Sequence, residues 1–84
     1  MCRTKIGEVT HYFSQISVAV LNLSAPLRVG DSIAIAGSST DFQQDVTSMQ
    51  VDHVGVAEGH PDQEVAIKVV SQVRPGDIVY IAEE

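Results

Sequence analysis

Three histidines, His11, His53 and His60, carry the side chains best suited to metal binding in this chain. A zinc site needs three or four ligands that converge from rigid elements. His11 and His53 offer two of these, and Asp41 or Asp52 offers a third. In the competing interpretation His11 packs in a strand, His53 hydrogen-bonds a loop and His60 is solvated. We favour the second interpretation, because the chain has no dedicated ligand motif, and we expect neither a metal nor a cofactor.

The residue types of a hydrolytic triad are also present: Ser38 or Ser39, His11 and Asp41. Such triads are recognised by geometry, and the sequence lacks the turn that exposes the nucleophile of many hydrolases. Asp41 and Asp45 would lie about 13 Å apart along a strand, too far for an acid–base pair acting on a small substrate. The sequence therefore predicts a protein that is not an enzyme.

The charge distribution restricts the class of partner. The net charge is −6, and no Lys or Arg lies between Arg28 and Lys68, where seven acidic residues fall. Nucleic-acid surfaces use Lys and Arg to neutralise phosphates, so we expect at most weak RNA binding and no DNA binding. Neither lysine stands in the Gly-x-x-x-x-Gly-Lys pattern of a phosphate loop, so we expect no nucleotide.

Length and composition predict a single small domain. Eighty-four residues suffice for one core, and we expect one domain over 1–84 with an ordered core over about 5–82. One cysteine, Cys2, excludes an intrachain disulfide. No apolar run approaches the roughly 18 residues of a membrane span, and the N-terminus lacks the apolar segment of a signal peptide. We therefore expect no membrane contact and a cytoplasmic location.

The secondary-structure elements that position these residues are predicted to be strands, because apolar residues alternate with period two and helical periodicity is hard to find. Val18 and Val20 alternate with Ala19 and Leu21, so both faces of that strand are apolar. In the run over 42–53 the apolar residues change from even-numbered to odd-numbered positions, so a bulge is expected near 47–48. Gly, Pro, Ser and Asp clusters separate the runs. The predicted strands cover 5–13, 15–23, 32–37, 42–53, 64–70 and 77–82.

Two similar corners separate some of these runs, Arg-Val-Gly-Asp at 28–31 and Arg-Pro-Gly-Asp at 74–77. Gly30 and Gly76 can adopt the positive φ that a tight turn requires. Asp31 and Asp77 can hydrogen-bond the neighbouring backbone. We expect the two corners to be structurally equivalent entries into apolar strands.

The motif VLNLSAPLRVGDSIAIAG over 20–37 and the RPGDIV sequence over 74–79 resemble domain II of translational GTPases such as elongation factor Tu. The resemblance covers nearly the whole chain, from about residue 6 to 80. It implies an all-β fold, a six-stranded closed Greek-key-type β-barrel.

A narrower resemblance is to small stand-alone elongation-factor-like proteins, and it extends to the similar barrel appended to some bacterial collagenase-like peptidases. It rests on VTHYF at 9–13, TDFQQ at 40–44 and SMQ at 48–50 with His53. These polar and aromatic positions exceed what a barrel core requires, so we expect them to form one contact site. In that site His11 should hydrogen-bond Asp41, Gln50 or a backbone carbonyl. The candidate binding residues are His11, Tyr12, Phe13, Thr40, Asp41, Phe42, Gln44, Gln50 and His53.

The aromatic pair Tyr12-Phe13 should place one ring in the core and the other at the surface, because adjacent strand residues point to opposite faces. We expect Phe42 to lie near this pair. Rings at a barrel mouth can stack nucleic-acid bases, but with so few aromatics we favour their packing as a plug.

Two functions follow from these resemblances. The first is a non-enzymatic binding module, similar to elongation-factor domain II, that acts with a protein or ribonucleoprotein partner in translation. The alternative is an accessory barrel domain that supports a collagenase-like peptidase. A small hydrolase or metal protein is a third possibility that the sparse site chemistry disfavours.

Overall fold

The computed structural model describes residues 3–38 and 40–82. Cys2 and Ser39, one of the two candidate nucleophiles, lie outside them. The prediction of an all-β fold is confirmed, since every regular element in the described ranges is a strand. No membrane-crossing helix is formed by this part of the chain. The strands are β1 (Arg3–Phe13), β2 (Val18–Leu23), β3 (Leu27–Arg28), β4 (Ser32–Ala36), β5 (Asp41–Asp45), β6 (Met49–Val51), β7 (Val54–Gly55), β8 (Glu58–Gly59), β9 (Glu64–Lys68) and β10 (Ile78–Ala82).

The prediction of a six-stranded closed barrel is wrong. Eight strands form one sheet in the order β5-β4-β10-β1-β2-β9-β6-β7, and β3 and β8 form a separate two-stranded ladder. The sheet ends at β5 on one side and at β7 on the other, so the described strands do not close into a barrel. All the pairings are antiparallel.

The sheet stays open because the run predicted as one strand over 42–53 divides near Val46. The Val46 N–H donates to Asp31 O at 2.9 Å, and the Gly30 N–H donates to Val46 O at 2.8 Å. These bonds hold Val46 against the corner at 28–31, so the backbone leaves β4 there. The chain then pairs with β9 instead, as β6. The break coincides with the parity change from which the sequence predicted a bulge.

One side chain spans the gap between the β5 edge and the end of β9. Gln44 Nε2 donates to Lys68 O at 2.8 Å, and the Val70 N–H donates to Gln44 Oε1 at 2.8 Å. The amide group thus makes the donor and acceptor pair that a backbone peptide group would make in a continuous ladder. Gln44 therefore links the two sides of the open sheet.

The two corners have the same internal geometry. Gly30 and Gly76 have φ values of 99° and 95°. In each corner the fourth N–H donates to the first carbonyl at 3.1 Å, as in a type II turn with Gly at its third position. The aspartate carboxylate accepts a hydrogen bond from the backbone N–H of the arginine, at 3.0 Å in the first corner and 2.9 Å in the second.

Each corner is also held by one buried valine. The Gly76 N–H donates to Val9 O at 2.8 Å, and the Val9 N–H donates to Asp77 O at 2.8 Å. This is the same reciprocal pair that joins the other corner to Val46. The corners are therefore equivalent in their contacts as well as in their sequence, and each sets the start of a core strand, β4 or β10.

Replacing Gly30 or Gly76 with Val should lower the free energy of unfolding by more than about 1 kcal/mol, because a β-branched residue resists positive φ. No neighbouring atom would meet an added Cβ at either position, so backbone strain alone is expected to act. Gly76→Asn should be milder, since Asn tolerates this conformation. Urea unfolding checks this order, and equal losses for Val and Asn would contradict it.

The core lies on one face of the eight-stranded sheet. Aliphatic residues dominate it, and Tyr12 and Phe42 pack against it from the side. The corner valines Val9 and Val46 belong to it, so the turns and the core stabilise each other. Its buried members are Ile6, Val9, Ala19, Leu21, Leu23, Leu27, Ile33, Ile35, Val46, Met49, Val65, Ile67, Val69, Val73 and Val79.

Candidate binding groove

A groove lies on the outer face of the sheet, across β1, β2, β9 and β6. His11 pairs with Val20, Val20 with Ala66, and Ala66 with Gln50. Directly opposed residues of antiparallel strands lie on the same face, so these four side chains form one row. Phe13 and Val18 form the next row. The odd-numbered neighbours Ala19 and Leu21 face the core instead.

The floor of the groove is apolar, and one wall is made by two exposed hydrophobic side chains. Val18, Val20 and Ala66 are half-buried in the floor. Phe13 and Ile16 remain 51% and 58% exposed. Ile16 belongs to the tight turn between β1 and β2, where its N–H donates to Phe13 O at 3.3 Å.

The opposite wall is polar and is formed by Gln50, Asp52, His53 and Glu64. Asp52 and His53 are the two central residues of the hairpin between β6 and β7, and their φ values are 51° and 65°. Two consecutive positive φ values define the turn type that suits a two-residue hairpin. Asp and His are among the residues that tolerate this region. The turn places both side chains at the rim of the groove.

The groove has a volume of about 290 Å³. That is just below the roughly 300–1,000 Å³ of typical small-molecule pockets. The space suits one or two side chains of a larger partner. Its floor is apolar and open to solvent, and its polar wall presents two carboxylates, an imidazole and an amide.

Of the nine candidate binding residues, the structure brings Phe13, Gln50 and His53 together in the groove. His11 is an exposed neighbour whose ring stacks on Phe13 at a centroid distance of 6.5 Å. The hydrogen bond expected from His11 to Asp41 does not form, because β4 and β10 lie between their strands. Gln50 shares a face with His11 but lies three strands away.

The other five candidates lie elsewhere. Tyr12 and Phe42 are half-buried and pack against the core. Thr40 is buried in the turn after β4, where its carbonyl accepts the Gly37 N–H at 2.7 Å. Asp41 is exposed on the edge strand β5, and Gln44 makes the link to β9 described above. The nine residues therefore do not form one site.

The groove also contains residues that were not among the sequence candidates. Ile16, Val18, Val20, Asp52, Glu64 and Ala66 line it. The sequence of β2 carried a signal for this groove, because both faces of that strand are apolar. A strand with one face in solvent normally alternates apolar and polar residues. Which other strands would flank β2 was not readable from that pattern.

The described residues 3–38 and 40–82 contain no group of three or more His, Cys, Asp or Glu side chains placed to hold a metal. His53 and Asp52 share the hairpin tip. His11 lies on β1, at the other end of the row from Gln50. The ligand set considered from the sequence therefore does not converge.

These features define a small all-β domain with an apolar groove on its outer face. No family model matches the chain. It is 35% identical over 83 residues to an uncharacterized protease of Methanocaldococcus jannaschii, a match that covers 98% of this chain and 20% of that protein. It is 32% identical over 80 residues to a collagenase of Porphyromonas gingivalis, covering 93% of this chain and 22% of that protein. The chain thus spans about a fifth of the length of these curated relatives.

Two solved structures have the same fold. Both are of the C-terminal domain of a Geobacillus thermoleovorans protein assigned to the U32 peptidases. One has a TM-score of 0.88 with 22% identity and covers 92% of this chain and 98% of that domain. The other has a TM-score of 0.90 with 20% identity and covers 95% and 93%. At these identities the likeness shows the fold.

The relatives correct the first functional expectation. They are proteases and peptidase domains, so they favour the accessory-domain alternative over a role in translation. The elongation-factor resemblance rested largely on the corners at 28–31 and 74–77. Those residues make turns, and the same turn chemistry serves any fold that needs such a corner.

The charge distribution predicts feeble RNA binding. Eleven acidic residues face five basic ones, and phosphate contacts depend on the basic residues. A fluorescence anisotropy titration with labelled tRNA at physiological salt should give a Kd no tighter than the roughly 10⁻⁴–10⁻⁶ M of non-specific binding. Saturable sub-micromolar binding would contradict the prediction and would revive the translation role.

Proposed function

We propose that this chain is a non-catalytic accessory domain that works with a collagenase-like peptidase of the U32 type and holds polypeptide in its outer groove. The observation that carries the proposal is the pattern of coverage. The match spans 98% of this chain but only 20% of the M. jannaschii protease, so most of that relative lies outside the matching region. A fold that covers 98% of a solved C-terminal domain fits an accessory role.

The groove supports the same proposal from the chemistry of its walls. An exposed apolar surface rimmed by polar residues is typical of a protein-interaction site. Phe13, Ile16, Val18 and Val20 provide that surface. Gln50 and His53 at its rim provide hydrogen-bonding groups that can fix the position of a bound chain.

The proposal is tested by co-purification from cells of the source organism. The tagged chain, used as bait, should enrich a collagenase-like or U32-type peptidase over ribosomal proteins, as measured by quantitative mass spectrometry. Adding the chain to the purified peptidase should then raise the cleavage of a protein substrate.

The matched control is a bait with Ile16 and Val20 both replaced by Ser, which removes apolar surface from the groove while leaving the inner face of β2 unchanged. Enrichment of ribosomal proteins or elongation factors in place of a peptidase would overturn the proposal. So would peptidase activity that does not respond to the chain on any substrate.

A further inference from the structure

We infer that the groove binds an extended polypeptide segment in which an aliphatic residue and a lysine or arginine stand two positions apart. The inference rests on the proposed function, since an accessory domain of a peptidase would meet such segments. It goes beyond that function by specifying the chemistry of the bound sequence.

The floor is suited to an aliphatic side chain. Val18, Val20 and Ala66 form it, and the exposed rings and branches of Phe13 and Ile16 stand beside it. These side chains are aliphatic apart from one ring. A bound Leu, Ile or Val would cover apolar surface that is now in contact with water, which favours binding.

The charges in the groove select a cation. Asp52 and Glu64 are the charged residues that line it, and Lys and Arg are absent from the lining. Lys68 lies on the same face opposite Val18, two residues along β9 from the Ala66 row and away from Glu64. Negative charge is therefore concentrated at the end formed by Asp52 and Glu64, where the cation of the bound segment would lie.

Two competing occupants fit less well. A nucleic acid would bring phosphates towards Asp52 and Glu64, which repels them. A second copy of this chain, placed groove to groove, presents the same lining with two carboxylates and no Lys or Arg, so it offers no cation from its own groove. A segment with its own cation provides the missing positive charge.

The groove also leaves room for one segment to lie along the strands. Its volume of about 290 Å³ is too small for a globular partner but takes one or two side chains. Neighbouring side chains of an extended segment alternate between faces. An aliphatic residue in the floor and a cation two positions away would therefore face the groove together.

The test is a fluorescence anisotropy titration of the whole chain with three labelled probes of equal length. In the first probe Leu and Arg stand two positions apart, so that both side chains lie on one face of the extended peptide. The second probe has Glu in place of Arg, and the third has Ser in place of Leu. The Leu–Arg probe should bind saturably, and each of the other two should bind at least about tenfold more weakly.

Matched variants locate the binding. Ile16→Ser and Glu64→Gln should each weaken the binding of the Leu–Arg probe by about tenfold. Val70→Ser removes a valine that is 77% exposed outside the groove, and Asp41→Asn removes one negative charge on β5. Both controls should leave binding unchanged. Thermal melts of all four variants verify that they fold.

Several results would overturn the inference. These are equal binding of the Leu–Glu probe, equal loss of affinity in the groove variants and the controls, and no binding of any probe up to about 1 mM. The outcome is independent of the co-purification. A peptidase that responds equally to the original chain and to Glu64→Gln would leave the accessory role standing and reject this specificity.

Discussion

Replacing Asp77 with Ala is expected to lower the free energy of unfolding by about 2–3 kcal/mol. Its side chain is buried, with 5% of the residue exposed. Its Oδ2 accepts the Arg74 N–H at 2.9 Å. Removing the buried carboxylate leaves this donor, in a part-buried hydrogen bond, without its partner, and the loss of a buried hydrogen-bond partner costs about 1–3 kcal/mol, more for charged groups.

The equivalent replacement in the other corner, Asp31→Ala, should cost only about 1 kcal/mol. Its carboxylate makes the same bond, to the Arg28 N–H at 3.0 Å, but the residue is half-exposed, so water can replace the lost acceptor. Urea unfolding of the two variants measures the difference. Equal losses would show that the burial of Asp77 does not matter.

Gly37 provides a further test of the Asp77 contact. A Cβ at position 37 would lie 2.6 Å from Asp77 Cγ, so Gly37→Ala should displace the carboxylate and destabilise the protein. In an Asp77→Ala background the same change should be nearly neutral. A double-mutant cycle should therefore give a coupling energy of about 1 kcal/mol or more. Additive effects would contradict the proposed packing.

Replacing Gly59 with Val is expected to lower the free energy of unfolding by about 3 kcal/mol, the upper end for inserting bulk into a packed core. A Cβ there would lie 2.7 Å from Leu23 Cδ1, 2.9 Å from Val65 Cγ1 and 3.2 Å from Met49 Sδ. For a domain of this size, the loss corresponds to a fall in Tm of about 12–24 °C.

Gly55→Val is the matched control, because Gly55 is also a strand glycine but an added Cβ meets nothing within 4 Å. A β-branched residue suits an exposed strand, so this variant should keep or slightly raise the stability. Thermal melts compare the two variants. A similar fall in Tm for both would mean that the loss of glycine itself, and not overlap in the core, is responsible.

The corners were predictable from the sequence because their chemistry is local. Gly30 and Gly76 need no distant partner to favour positive φ, and Asp31 and Asp77 bond a backbone group three residues away. The all-β class was predictable for the same reason, since period-two alternation is a property of each strand by itself.

Two features depend on residues that are far apart in the sequence: whether the sheet closes, and where the groove forms. Neither was predictable from the sequence. From the sequence Gln44 was a candidate binding residue. In the structure its side-chain amide forms hydrogen bonds with the backbone of Lys68 and Val70, which lie 24 and 26 positions away. His11 and Gln50 share a face only because β2 and β9 lie between their strands. Alternation does not encode which strands become neighbours.

The parity change near 47–48 shows an intermediate case. The sequence marked the irregularity, but it did not show that Val46 binds the corner at Asp31 and that the chain then changes partner strand. Where the sequence predicted a bulge within one strand, the structure therefore has two strands, β5 and β6, which pair with different neighbours.

The accessory-domain role is tested most directly by grafting this chain into the P. gingivalis collagenase. Its 80-residue matching region would be deleted or replaced either by this chain or by an unrelated β-domain of similar length, and the rate of collagen cleavage would be measured. We expect the deletion to lower the rate and this chain to restore most of it, while the unrelated domain does not. A deletion variant as active as the intact enzyme, or equal restoration by both domains, would contradict the proposed role.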